Sequence, residues 1–69
     1  MNSFSERLAL AIKVSGMRHM DFVLKSGLSA THFSHIVNGH REPNFENLAT
    51  IVRSLPGIDA RWLICGEKK

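Results

Sequence analysis

The apolar residues of this chain fall into short segments with helical spacing, and each segment stops at a glycine or a proline. Since an α-helix turns once every 3.6 residues, apolar residues three or four positions apart share one face. Glycine readily takes the left-handed backbone that closes a helix, and proline cannot continue one. The pattern predicts an all-α chain of five short helices without strands. The stops are Gly16, Gly27, Gly39, Pro56 with Gly57, and Gly66.

Capping residues predict where these helices begin. Helix one is predicted over residues 5–15 and helix two over residues 18–26, the latter without a clear N-cap. Ser29, Asn44 and Asp59 each carry a side-chain oxygen that can accept a hydrogen bond from the free backbone N–H groups of a first turn. We therefore expect helices three, four and five to begin directly after these three residues.

The apolar faces of the helices supply the predicted core. Helix four has the clearest face, and Trp62 in helix five is the largest side chain that so small a chain can bury. We expect Trp62, Leu63 and Ile64 to contribute both to the core and to a contact between two copies. Cys65 has no partner for a disulfide and is expected to pack. The predicted face of helix four consists of Phe45, Leu48, Ala49, Val52 and Leu55.

Helix three has two contrasting faces within residues 27–43, GLSATHFSHIVNGHREP. Phe33, Ile36 and Val37 share one side. The other side consists of Ala30, Thr31, Ser34 and His35. An exposed helix face usually carries Lys and Glu, so a small, polar, acid-free face indicates close approach to a patterned, negatively charged surface. DNA is such a surface.

Positive charge is unevenly distributed along the chain. Nine Lys and Arg against six Asp and Glu give a formal net charge of +3. Between Arg18 and Arg41 the only acidic residue is Asp21, and all four histidines fall in this stretch. The middle of the chain is therefore the segment where we expect an anionic partner to bind.

Other classes of protein fit the sequence less well. Sixty-nine residues are too few for a deep cleft, and the serines and Cys65 lack a histidine and an acid at catalytic spacing. We expect no enzyme activity, cofactor or small-molecule substrate. His32, His35 and His40 lack the cysteines or carboxylates that would complete a zinc site. No apolar run is long enough to span a membrane and no export signal is visible, so we expect a cytoplasmic protein.

Helices two and three, joined through Gly27, form a predicted helix-turn-helix. Residues 33–43, FSHIVNGHREP, match the motif S-x-I-x-N-G-x-R-x-P, and residues 62–66, WLICG, match W-L-x-x-G. With these motifs the sequence resembles the phage repressor-like helix-turn-helix domains, the Cro and CI repressor or XRE family, along essentially its whole length. The resemblance implies a compact five-helix lambda-repressor-like domain over residues 1–69. The chain departs from the family pattern at His19, Val23 and Ser26.

The resemblance also implies roles for individual residues. Helix three, about residues 29–37, would lie in the major groove and read base edges. Its base-reading residues would be Ala30, Thr31, Ser34 and His35. None of these can make the bidentate contacts of Arg, Lys, Asn or Gln, so discrimination at each base is expected to be modest. The phosphate-contacting residues would be Arg18, His19, Ser29, His32, Asn38, Gly39, His40 and Arg41. Histidines beside phosphate favour the protonated form, so binding is expected to tighten as the pH falls from about 7.5 to about 6.

The expected function is sequence-specific regulation of transcription, which in this family is most often repression. The expected partners are double-stranded DNA carrying an inverted repeat, with half-sites about 10 base pairs apart, and a second copy of the chain. An alternative is a protein-interaction module, such as an antitoxin-like partner, in which DNA binding is secondary. The polar face of helix three favours DNA, because peptide-binding surfaces expose large apolar residues. The chain fits either a complete regulator or the N-terminal fragment of a longer repressor.

Overall fold

Residues 3–67 are described by a computed structural model, which contains five α-helices. They are α1 (Phe4–Val14), α2 (His19–Ser26), α3 (Ala30–Val37), α4 (Phe45–Ser54) and α5 (Ala60–Cys65). No strand occurs between residues 3 and 67. The all-α prediction and the number of helices are therefore confirmed. Over the same range, no helix has the length and apolarity needed to cross a membrane.

Side-chain oxygens begin the last three helices as predicted. Ser29, Asn44 and Asp59 accept first-turn backbone N–H groups at 3.1, 2.8 and 3.0 Å, respectively. The cap of α2 was not apparent from the sequence. The backbone N–H of Arg18 donates to the carboxylate of Asp21 at 3.0 Å, so a residue inside the first turn closes the start of this helix.

Nine buried apolar side chains form the core. α1 contacts α3 and α5, while α2 contacts α3 and α4, so α3 packs against both α1 and α2. Each such side chain contributes roughly 1.5 to 3 kcal/mol of burial free energy, which makes this small core the main source of stability. The core residues are Leu8, Ala11, Ile12, Phe22, Phe33, Ile36, Ile51, Leu55 and Leu63.

The predicted core face of α4 is confirmed at Leu55 and wrong at Phe45. Phe45 is 85% exposed, whereas Ile51, which the prediction left out, is fully buried together with Leu55. The apolar residues of α4 cover an arc wider than the core can bury. The helix packs through the edge that carries Ile51 and Leu55, and Val52 is half-buried against the same core, whereas Phe45 stays at the surface.

Two predictions for α5 also need correction. Trp62 is half-buried, and Phe22 in α2 is the largest fully buried side chain instead. Cys65, expected to pack, is exposed. α5 has six residues, fewer than two turns, so one side of it faces the rest of the molecule and Leu63 occupies that side.

A buried arginine joins the two ends of the chain. Arg7 is 6% exposed, and its Nε and Nη2 atoms donate to the carbonyl oxygens of Leu63 and Ile64 at 2.9 and 3.1 Å. The last carbonyls of a helix lack intrahelical partners and attract cations. Arg7 thereby fixes the end of α5 against α1. No pattern in the sequence indicated this contact.

Candidate nucleic-acid interface

α2 and α3 are held together by a tight turn and an aromatic contact. Gly27 has φ +79°, and its N–H donates to the carbonyl of Val23 at 3.0 Å, which ends α2 in a left-handed cap. A side chain is strained at this φ, so glycine suits the turn. The ring centroids of Phe22 and Phe33 lie 5.5 Å apart. The two helices of the predicted helix-turn-helix therefore share one part of the core.

α3 has the two contrasting faces that the sequence indicates. Phe33 and Ile36 are 3% and 1% exposed, and Val37 is half-buried. The residues predicted to read bases, Ala30, Thr31, Ser34 and His35, are all exposed. We call these four residues the α3 polar face. Burial of the opposite side fixes how this face is presented to a partner.

A groove of about 300 Å³ lies between α2 and α3. Its lining includes four of the predicted site residues, His19, Ala30, Ser34 and Asn38. The His19 ring meets Phe33 edge-on, with centroids 5.4 Å apart, and Asn38 Nδ2 donates to Ser34 Oγ at 3.2 Å. The structure thus brings residues of the base-reading and phosphate-contacting sets to one concave surface.

The turn after α3 separates the other predicted phosphate contacts. The carbonyl of His35 accepts the backbone N–H groups of His40 and Arg41 at 2.8 and 3.1 Å. Gly39 has φ +79°, and a Cβ there would lie 3.3 Å from Ser5 Oγ in α1. Asn38 therefore borders the α2–α3 groove, whereas Gly39 and Arg41 line a hollow beside α1. All four residues from 38 to 41 are exposed.

His32 faces a different direction from the α3 polar face. It is half-buried; its Nε2 atom lies 2.6 Å from Asn47 Nδ2 in α4, and its Nδ1 atom lies 3.4 Å from Arg41 Nη1. Both ring nitrogens thus contact groups of the protein. Nothing in the sequence pattern singled out Asn47, because the pairing depends on how α3 and α4 pack.

Arg18 stands at the start of α2 with its side chain 87% exposed. Its Nε atom lies 3.4 Å from Asp21 Oδ2. The Arg18 backbone N–H foremost, and the Arg18 guanidinium after it, hold the pKa of the Asp21 carboxyl below its usual value. Asp21 therefore remains ionised near neutral pH and offsets part of the Arg18 charge.

The net positive charge of the described residues comes from the stretch between Arg18 and Arg41. This stretch contains three Lys and Arg against one acidic residue, while the rest of residues 3–67 contains four Lys and Arg against five acidic residues. Lys25 and Arg41 are exposed. An anion approaching the molecule is therefore attracted to the side formed by α2, α3 and the turn after α3.

The sequence matches no protein-family model, no curated protein and no solved structure. Any function must therefore be inferred from the chain's own residues. They supply an exposed, acid-free helix face, a groove shared by α2 and α3, and a net positive charge in the stretch of sequence that contains both. Among residues 3–67, no three His, Cys, Asp or Glu side chains are grouped so that they could hold a metal ion.

Proposed function

We propose that this protein is a sequence-specific DNA-binding regulator of transcription, built as a lambda-repressor-like helix-turn-helix domain with α3 as the recognition helix. The exposure of the α3 polar face, set against the nearly complete burial of Phe33 and Ile36, is the observation that carries the proposal. Small side chains let a helix backbone approach base edges closely, and the absence of acids avoids repulsion by phosphate.

Each residue of the α3 polar face has a contact that its chemistry allows. The methyl groups of Ala30 and Thr31, in the first turn, can meet a thymine methyl, and the Thr31 hydroxyl can donate or accept. His35, one turn later, can donate to a purine N7 or to guanine O6, and Ser34 can bond base or phosphate. Such contacts discriminate modestly at each position, so DNA shape is proposed to supply part of the specificity.

Phosphate contacts are proposed on both sides of the α3 polar face. Arg18 and His19 lie at the start of α2, and His40 and Arg41 lie in the turn after α3. Ser29 accepts the N–H of His32 through its hydroxyl oxygen, which leaves the hydroxyl proton free to donate. These contacts would set the position of α3 without reading sequence.

A second copy of the chain is proposed to bind through α4 and α5. Phe45 and Ile64 are 85% and 41% exposed, and with Leu48, Ala49 and Val52 they line a shallow groove of about 340 Å³. We call this the α4–α5 apolar surface. A contiguous exposed apolar patch marks an interaction site. Two copies related by a two-fold axis would present two α3 helices to half-sites about 10 base pairs apart.

Salt dependence tests the proposed phosphate contacts. Affinity for a duplex of about 20 base pairs should fall linearly with salt on logarithmic axes, because binding releases counterions. At pH 6, Arg18→Gln and Arg41→Gln should each reduce the slope by about 1 per chain, whereas the matched variant Arg61→Gln, in α5, should leave it unchanged. Fluorescence anisotropy supplies the measurement. A slope near zero, or equal effects of all three variants, would contradict the proposed interface.

A protein-interaction module is the second candidate, because large apolar side chains are exposed on α2 and α4. Met20 and Leu24 in α2 are 72% and 78% exposed, in addition to Phe45. In that case a polypeptide partner would cover these side chains and DNA would bind weakly. Replacing Leu24, which lies outside the α2–α3 groove, by Gln distinguishes the candidates, since it should weaken partner binding but leave salt-dependent DNA binding in place.

A further inference from the structure

His32 connects three successive segments of the chain through one imidazole ring. Its Nδ1 atom contacts Arg41 Nη1, in the connection after α3, at 3.4 Å, and its Nε2 atom contacts the side-chain amide of Asn47, in the first turn of α4, at 2.6 Å. Arg41 is a proposed phosphate contact, and it is exposed. The protonation state of the His32 ring therefore affects Arg41, which is one of the proposed phosphate contacts.

The hydrogen-bonding capacity of these groups fixes the protonation state that satisfies all of them. A guanidinium only donates, so Nδ1 must be the unprotonated nitrogen when it accepts from Arg41. Nε2 then carries the ring proton and requires an acceptor. Asn47 supplies one when its amide is turned so that Oδ1 faces the ring, since the two amide orientations occupy the same space. The structure has Asn47 Nδ2 facing the ring, and with the amide turned the neutral Nε2–H form of His32 bonds both partners.

We propose that His32 is a positioning residue that holds Arg41 while neutral and releases it when protonated. A proton on Nδ1 replaces the acceptor by a donor and brings two cations together, so the contact with Arg41 is lost. The contact with Asn47 persists, because Nε2–H donates in both forms. Protonation therefore frees the guanidinium of Arg41 while α3 and α4 stay joined.

The groups around His32 allow protonation of the ring to release Arg41. Within residues 3–67 no carboxylate lies within ion-pairing distance of the ring. Arg41 faces it from the connection and Asn47 from α4, while Glu46, next to Asn47, is exposed. On α3 itself the neighbouring histidine, His35, is exposed and has its ring 6.5 Å from that of His40. Arg41 is thus the charged group that meets the ring.

The consequence for DNA binding rests on the proposed function. At a phosphate backbone, protonation of His32 adds one positive charge and releases a second, that of Arg41. The salt slope of binding should therefore be steeper at pH 6 than at pH 7.5 by about 1 to 2 per chain through this contact alone. A single histidine without a bound arginine would add about 1 at most.

NMR of the free protein tests the contact without DNA. In the intact chain, the Arg41 side-chain Nε–H signal should move with the same midpoint as the His32 ring, and Asn47 should report the same event. The matched variant His35→Gln should keep this linkage, whereas His32→Gln should remove it. An Arg41 signal that does not respond to the titration of His32 would overturn the inference. If His32→Gln loses helical circular dichroism, His32→Asn takes its place.

A double-mutant cycle on DNA tests the consequence. The pH-dependent gain in salt slope should fall in His32→Gln and in Arg41→Gln, and the two losses should not add in the double variant, because the residues act as one unit. Additive losses would overturn the inference even if DNA binds well. Intact linkage by NMR with no DNA binding would support the His32–Arg41 contact and contradict the proposed function, so the two failures are distinguishable.

Discussion

At the scale of single residues, the start of α2 depends on one carboxylate. Asp21 accepts the backbone N–H of Arg18 at 3.0 Å and its Nε–H at 3.4 Å, and these contacts lower the pKa of Asp21 from 3.8. A lowered pKa in the folded state means that the ionised form stabilises the fold. The contribution is complete well above pH 3.8 and is lost as the pH falls through the lower pKa of the folded state.

Replacing Asp21 by Asn should therefore destabilise the protein near pH 7, and the difference from the intact chain should shrink as the pH falls below about 4. Asn keeps an accepting oxygen but lacks the charge that Arg18 stabilises. Urea denaturation followed by circular dichroism at several pH values provides the comparison. Glu46→Gln is the matched control, because α4 takes its cap from Asn44 instead. A difference that stays constant with pH would show that the charge of Asp21 is irrelevant.

At the scale of secondary-structure elements, α5 is held by a polar contact as well as by Leu63. With six residues it is too short to be stable alone, and Arg7 donates to the carbonyls of Leu63 and Ile64 at its C-terminal end. Gly66 follows directly, where a Cβ would lie 3.0 Å from Arg7 Nη1. The backbone at the end of α5 therefore packs directly against the Arg7 guanidinium.

Arg7→Met should lower the free energy of unfolding by about 2 to 3 kcal/mol, because it leaves two largely enclosed carbonyls without their charged donor. Arg61→Met is the matched control: the Arg61–Glu67 pair is exposed on both sides, and such a pair is worth about 0 to 1 kcal/mol. Chemical denaturation measures both variants. Equal losses would mean that Arg7 adds nothing beyond an ordinary surface charge.

The elements that the sequence predicts well are those decided by local rules. Ser29, Asn44 and Asp59 cap helices because a short side-chain oxygen reaches the first turn in any context. Phe45 was wrongly placed in the core because the apolar arc of α4 exceeds what the core covers, and which edge packs depends on tertiary contacts such as those with α2. The His32–Asn47 contact was not predicted for the same reason, because the two residues are fifteen positions apart and meet through tertiary packing. The α3 polar face was predictable because helical spacing alone separates it from Phe33.

At the scale of the whole molecule, the proposal divides the surface into a DNA-facing side and an apolar side. The α3 polar face and the cations between Arg18 and Arg41 form the first. The α4–α5 apolar surface forms the second. Pairing through the second side joins two recognition helices, and the affinity of each for its half-site then benefits from the other.

Phe45→Gln combined with Ile64→Gln should therefore prevent two copies from binding cooperatively to an inverted repeat, while leaving binding to a single half-site unchanged. The matched control is Val14→Gln with Leu24→Gln, which removes two exposed apolar side chains from α1 and α2. Analytical ultracentrifugation of the protein with labelled duplex gives the stoichiometry. Retained cooperativity in the first variant would exclude the α4–α5 apolar surface as the contact between copies.

The proposed reading of DNA sequence by α3 is tested most directly by selecting bound duplexes from a randomised DNA pool and sequencing them. The selection is run with the intact chain and with Thr31→Ala/His35→Ala. Lys13→Ala/Arg61→Ala, which alters exposed cations outside residues 18–41, is the matched control. If α3 reads DNA, the intact chain and the control should enrich the same near-palindromic site, and the α3 variant should relax it at the positions it contacts. Failure of the folded intact chain to enrich any sequence, or enrichment of the same site by all three proteins, would contradict a recognition role for α3.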